Sequence, residues 1–188
     1  MAGHQFKSLS ITNLDATPVV PNTIGEGAPG FIWNVNDFVS PVTADDNTST
    51  YRLCRFPTNA KVKALWIYST IATAGAADIN VAFSDSTVDG TSAQFTTGLP
   101  VQLAGPVDNK LFGAAVAIFA AAAAPPLEFT FRGTFTPPMC NIPMWQNLVT
   151  LGATQFTADP GGFFDIFLKV TTTITTGGFL MAKLEYME

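Results

Sequence analysis

The C-terminal end of the chain alternates with a period of two. Phe164, Ile166, Leu168, Val170 and Thr172 interleave with Phe163, Asp165, Phe167, Lys169 and Thr171. After Thr175-Thr176-Gly177-Gly178 the pattern resumes, with Leu180, Ala182, Leu184 and Tyr186 set against Met181, Lys183 and Glu185. Successive side chains of a strand point to opposite faces, so two half-buried strands are predicted here. The Gly-containing turn between them gives the pattern of a β-hairpin.

The same grammar runs upstream. Tyr51-Arg52-Leu53-Cys54-Arg55-Phe56 reads as a strand and Pro57-Thr58-Asn59-Ala60 as a turn. Lys61 to Thr70 follows, with Val62, Ala64, Trp66 and Tyr68 on one face and Lys61 and Lys63 on the other. Asp78 to Phe83 points Ile79, Val81 and Phe83 one way. Ser84 to Gly98 is polar and reads as a long loop. Glu128 to Arg132 and Met144 to Gly152 are two more predicted strands. One helix is predicted between Asp108 and Ala124, capped by Asp108 or Asn109, because alanine is the best helix former. Val116, Phe119 and Ala120 would share its buried face. Several short strands with one helix on a crossover predict a mostly β protein. The expected fold is an antiparallel β-sandwich, jelly-roll-like, with one short Ala-rich helix.

The first 50 residues read differently. Pro18, Pro21, Pro29 and Pro41, with Gly25, Gly27 and Gly30, deny long ladders to this stretch. Its apolar residues include Phe31, Ile32, Trp33 and Phe38, which need burial against something. The expected organisation is an extended N-terminal arm, 1–50, and a sandwich domain, 51–188. Phe31, Ile32, Trp33 and Phe38 are the candidate partner contacts.

Composition narrows the function. Charged residues make up 12% of the 188 residues, about half the usual share. The 16 Phe and 3 Trp are many for one domain to hide alone, so association with other chains is expected. The net charge of −5 argues against nucleic acid. Arg52, Arg55, Lys61 and Lys63 cluster in sequence and read as an exposed strand face kept wet. The start, MAGHQFKSLS, lacks a secretory pattern, and the apolar stretch from Leu111 to Ala124 is too short to span a membrane.

Catalytic chemistry finds little footing. His4 is the only histidine, so a histidine-based nucleophile and a Cys/His zinc site both lack parts. Cys54 and Cys140 form no CxxC pair, and their bonding stays open. Gly25-Glu26-Gly27-Ala28-Pro29-Gly30 matches GxGxxG in letters but follows no strand. Asp45-Asp46 and the loop Asp85 to Asp89 offer oxygen ligands for calcium without full EF-hand spacing. No enzyme activity, cofactor or metal is expected.

Several stretches resemble a known family. Tyr51 to Val62 is similar to its YR-x-x-R-[VF]-P-[ST]-N-A-[KR]-V segment, and Asp78 to Phe83 to the strand that follows. Leu111-Phe112-Gly113, Met144-Trp145-Gln146, Asp159-Pro160-Gly161-Gly162-Phe163-Phe164-Asp165-Ile166 and Thr175-Thr176-Gly177-Gly178 also match. The family comprises small virion structural proteins of tailed bacteriophages, serving as head decoration or cement, or as minor capsid components. The alanine-rich 114–124 and Phe-rich 129–135 segments depart from it. The resemblance implies a virion location, with assembly in the host cytoplasm. It implies the major capsid protein and the chain's own copies as partners, in a homo-oligomer with a trimer preferred, and neither nucleic acid nor membrane. A tail, neck or fibre component, or a carbohydrate-binding module using Trp33, Trp66 or Trp145, remains open as an alternative.

Overall fold

The computed structural model describes residues 5–7, 11–12, 15–16, 32–70, 75–84, 110–118, 127–150 and 156–188. Among these, strands form two sheets. One contains, in spatial order, β1 (Gln5–Lys7), β3 (Thr50–Pro57), β8 (Phe163–Val170), β5 (Ala77–Phe83) and β6 (Gly113–Val116). The other contains β2 (Trp33–Val39), β9 (Leu180–Met187), β4 (Lys61–Ser69) and β7 (Leu127–Glu128). All pairings are antiparallel except β1 with β3. The sheets share one core between them, where the Phe56 ring of β3 tilts against Tyr186 of β9 at 6.2 Å. This is the mostly β, two-sheet sandwich that the alternation predicted.

The inward faces follow that alternation. Ile79, Val81 and Phe83 stand beside Leu168, Ile166 and Phe164 across the β5–β8 ladder, all buried. Leu180, Ala182, Leu184 and Tyr186 supply the opposing layer. The two C-terminal strands do not pair with each other, however. β8 lies in one sheet and β9 in the other, so the expected hairpin is a crossing between layers. Its turn is held by the segment before β3. The Ile174 amide donates to the Asp45 carbonyl at 2.8 Å, Ala44 donates to the Ile174 carbonyl at 2.8 Å, and Gly178 donates to the Pro41 carbonyl at 3.1 Å. Turn residues set where the chain reverses, but buried partners decide which ladder each strand joins.

Two bulges revise the expected faces. In β3 the pairing passes from Leu53–Ile166 to Arg55–Asp165, leaving Cys54 as the extra residue, at a left-handed φ of 48°. Strict alternation would send Arg55 inward with Tyr51 and Leu53. The bulge instead puts Phe56 in the core and turns Arg55 back to the outer face. In β4 the pairing skips Lys63, so Val62, Leu65 and Ile67 face the core. Ala64, Trp66 and Tyr68 then share the outer face, so the expected face joining Val62 to Trp66 is wrong by one residue. Lys63 reaches away from the ladder, donating to the Cys140 carbonyl at 2.8 Å.

Other elements also differ from expectation. Trp33–Val39, expected within an extended arm, is strand β2 of the sandwich, paired along its length with β9. Trp33, Val35 and Val39 hold the inward positions; Asp37 at the fourth hides the pattern from the sequence. Within the expected Ala-rich helix, Gly113–Val116 is a strand on β5, with Asp78 Oδ1 accepting the Ala115 amide at 2.5 Å. Residues 119–126 lie outside the described ones. The expected strand at Met144 is instead helix α1 (Met144–Thr150), preceded by a 3₁₀ turn (Pro137–Asn141). Of Glu128 to Arg132 only Glu128 is strand.

Three of the stretches quoted for the resemblance, at Pro57–Ala60, Met144–Gln146 and Asp159–Gly162, meet at one end of the sandwich. Asp159 Oδ1 accepts the Thr58 hydroxyl at 2.5 Å and the Gly161 amide at 2.9 Å. Gly161 and Gly162 take φ of 71° and 82°, which only glycine adopts without strain. Met144 and Trp145 donate their amides to the carbonyls of Ala60 and Thr58 at 2.9 and 3.1 Å. These motifs fasten a turn, a turn and a helix start to one another.

Candidate interaction face

The two sheets treat their outer faces differently. On the five-stranded sheet the outward residues Arg52, Asp78, Asn80, Ala82, Asp165 and Phe167 are buried. Arg52 and Arg55, expected on a wet basic face, converge on the fully buried Asp165. Arg55 Nε and Nη2 donate to its two oxygens at 2.8 and 3.1 Å, and Arg52 Nη1 stands 3.5 Å away. Arg52 also lies over the Phe167 ring at 5.0 Å and donates to the Phe83 carbonyl at 2.9 Å. Burial pushes the Arg52 pKa down, and the Asp165 charge only partly offsets it.

The four-stranded sheet leaves aromatic and apolar surface outside. Its registers set Phe38, Met181 and Tyr68 in one row across β2, β9 and β4. Phe38 is 43% exposed and Met181 37%. Phe38 stacks on Phe179 at 5.1 Å, and Val42, 38% exposed, follows just beyond the end of β2. The next row holds Asn36, Lys183, Trp66 and Glu128. Lys183 sits over the Trp66 ring at 4.9 Å and pairs with Glu185 at 2.9 Å. Asn36, Trp66, Tyr68, Met181 and Lys183 line a depression of about 270 Å³. One end of the face is thus apolar and the other carries its charges.

The candidate contact residues fall unevenly around this face. Phe38 is on it. Ile32, 53% exposed, precedes β2. Trp33 takes an inward position, packed on the core and stacked on Tyr186 at 6.4 Å. Phe31 lies outside the described residues. Met181, Tyr68 and Val42 were not singled out by sequence. The signal was present in the outward set Met181, Lys183 and Glu185, where Met181 is the one apolar member.

Asp45, from the Asp45-Asp46 pair, is buried and accepts the Tyr51 hydroxyl at 2.6 Å and the Val42 amide at 2.9 Å. The loop Asp85 to Asp89 and His4 lie outside the described residues. No group of three or more His, Cys, Asp or Glu among the described residues is placed to hold a metal. Both thiols are free. Burial, then the charges of Asp37 and Asp165, push the Cys54 thiol well up, so it stays protonated. Burial also raises Cys140.

No protein-family model matches the chain, and no curated protein matches it. Solved structures do. A chain in the capsid of Ralstonia phage GP4 is similar over 98% of both chains, with a TM-score of 0.52 and 14% identity. A chain in the capsid asymmetric unit of cyanophage Pam1 matches over 93% of this chain and 97% of its own, with a TM-score of 0.45 and 14% identity. The class defined here is therefore a two-sheet β-sandwich, a fold shared with the GP4 capsid chain.

Proposed function

We propose that this chain is a virion structural protein, a decoration or cement subunit that stabilises a phage head. It does so by non-covalent contacts with the major capsid protein and with its own copies, preferentially three of them. The observation that carries this reading is the contrast between the sheets. The outer face of one sheet is buried along its middle, at Arg52, Asp78, Asn80, Asp165 and Phe167, with Phe163 exposed only at the start of β8. The other sheet presents Phe38, Met181 and Tyr68 in one outward row, with exposed Val42 just past β2. Such a surface marks an interaction site. Burying each such side chain is worth about 1.5–3 kcal/mol, and symmetry multiplies the gain. The low charge content, the motif resemblance and the fold shared with a phage capsid chain support the same role, the last by fold-level analogy. Cementing needs no catalytic group.

Ile32, Phe38 and Phe31 are the proposed contacts, with Trp33 bracing β2 from within. A tail, neck or fibre location would use the same features, and imaging of labelled particles separates the two. A carbohydrate-binding role is favoured by Trp66 and Tyr68 in the depression, although Lys183 already occupies a face of the indole. The double variant Phe38→Asp/Met181→Asp tests the leading reading. It should melt cooperatively yet fail to co-sediment with heads, while the parent chain binds and sediments as an oligomer. Undiminished binding by the folded variant would overturn the reading.

A further inference from the structure

We propose that copies of this chain meet through two different patches, the Phe131–Arg132 turn of one copy seated against Ile32 and Glu188 of the next. The Phe-rich segment that departs from the family pattern carries the idea. Phe129 and Phe135 are buried, but Phe131 between them is 47% exposed. Its ring stacks on Phe135 at 6.2 Å, and Phe135 tilts against Phe112 at 5.1 Å. The backbone on either side is pinned. The Phe129 amide donates to the Leu65 carbonyl at 2.7 Å, the Thr130 hydroxyl oxygen accepts the Leu65 amide at 2.9 Å, and Phe135 donates to the Leu111 carbonyl at 2.9 Å. Phe131 is thus held out on a fixed mount, and little order remains to be lost on binding. Exposed Arg132 stands beside it, its guanidinium 5.0 Å from the Phe129 ring centre. Arg52 and Arg55 are engaged by Asp165, whereas Arg132 has no acidic partner among the described residues. Aromatic rings and arginines are the side chains that dominate contact centres.

The complementary patch lies on the same sheet. β7 runs antiparallel to β4, so the turn after it heads toward the start of β4 at Lys61. At that end of the sheet Trp33 opens β2 opposite Tyr186, and Lys61 opens β4 opposite Met187. Ile32, 53% exposed, precedes Trp33, and exposed Glu188 follows Met187. Glu188 makes no ion pair among the described residues. β2 and β7 are the two outer strands of this sheet, with β9 and β4 between them. One side of its end therefore offers an apolar ring with a cation, the other an apolar side chain with an anion. That charge complementarity makes a second copy the occupant. Two different patches that fit each other form a heterologous contact, which closes into a ring when its rotation allows. The inference rests on the reading that copies of the chain associate, and it names the surfaces they use.

Sedimentation of the full chain tests it, with co-sedimentation on heads as a separate readout. Arg132→Glu and Glu188→Arg should each weaken self-association by about tenfold or more, because like charges then face each other across the contact. Both should melt as the parent does. The double variant Arg132→Glu/Glu188→Arg should recover the parent's assembly, and Phe131→Ser should weaken it. Single variants that assemble like the parent, or a double variant that is not rescued, would overturn the contact. Variants that assemble normally but lose heads would give the turn to the capsid protein and overturn it too. A parent that binds heads as a monomer would overturn this inference and leave the virion reading standing. Failure to bind heads, with the charge swap obeyed, would support the contact and count against the virion reading alone.

Discussion

The Cys54 amide on β3 donates across the sandwich to Asp37 Oδ2 on β2 at 3.2 Å. Cys54 is the bulged residue, so its N–H has no place in the β3–β8 ladder. Asp37 supplies the acceptor from the opposite sheet while also accepting the Phe38 amide at 3.0 Å. The Cys54 thiol points the same way, 3.6 Å from the Ala182 carbonyl and 3.7 Å from that of Val35. A buried carboxylate thus supports the defect that turns Arg55 outward to Asp165.

Asp37→Ala should therefore destabilise the chain. It leaves the bulge amide unpaired in the interior, at a cost of about 1–3 kcal/mol. Asp37→Asn keeps an acceptor oxygen and should lose less. Denaturant unfolding of the two variants checks the order; equal losses would remove the bulge amide from the account.

Leu168 and Lys169 are neighbours on β8 with opposite fates. Leu168→Ala should cost about 2–5 kcal/mol, because Leu168 stands between Tyr51 and Ile79 in the core. Lys169→Ala should cost under about 0.5 kcal/mol. Similar losses in thermal melts would mean the register is wrong.

Gly133 should not tolerate a side chain. A Cβ there would collide with the Lys110 and Leu111 carbonyls and lie 2.6 Å from the Gly113 amide nitrogen, where the turn after β7 crosses the start of β6. All three obstacles are backbone, so they cannot swing aside. Gly133→Ala should lower stability by about 1–3 kcal/mol, as overpacking does, and loosen the Phe135 amide bond to Leu111. Unchanged melting with full protection of Phe135 would contradict this close approach.

Alkali should weaken the fold by forcing its buried tyrosines to ionise. Burial, then the Glu188 charge, push the Tyr186 pKa from 10.0 to about 12. Burial and the bond to Asp45 also raise Tyr51. A raised folded-state pKa means the unfolded chain releases its proton first. The contribution is full below about pH 10 and falls away as pH rises toward 12. Tyr186→Phe should flatten that decline; a stability curve level from pH 10 to 12 in the parent would refute it.

How far the sequence reached is visible residue by residue. The faces of β5, β8 and β9 were legible in Ile79-x-Val81-x-Phe83, in Phe164 to Leu168 and in Leu180 to Tyr186, because a period of two is a local property of extended backbone. The same locality set the limits. Alternation does not name a partner, so β8 and β9 read as a hairpin although β9 pairs with β2 and β4. Trp66 and Tyr68 read as sharing a face with Val62 because nothing beside Lys63 announces the bulge that turns them outward. Trp33 to Val39 was hidden by Asp37, whose inward place makes sense only once Cys54 is opposite it. Ala-rich residues became strand β6 against Asp78, and Met144 to Thr150 became helix. The sequence by itself determined a low-charge β-sandwich and most of its inward side chains. The tertiary structure decided which sheet each strand joins, where the two bulges fall, and hence that Phe38, Tyr68 and Met181 form one exposed row. Those choices depend on buried polar groups finding partners far away in the chain, and that requirement is satisfied only when both sheets are in place.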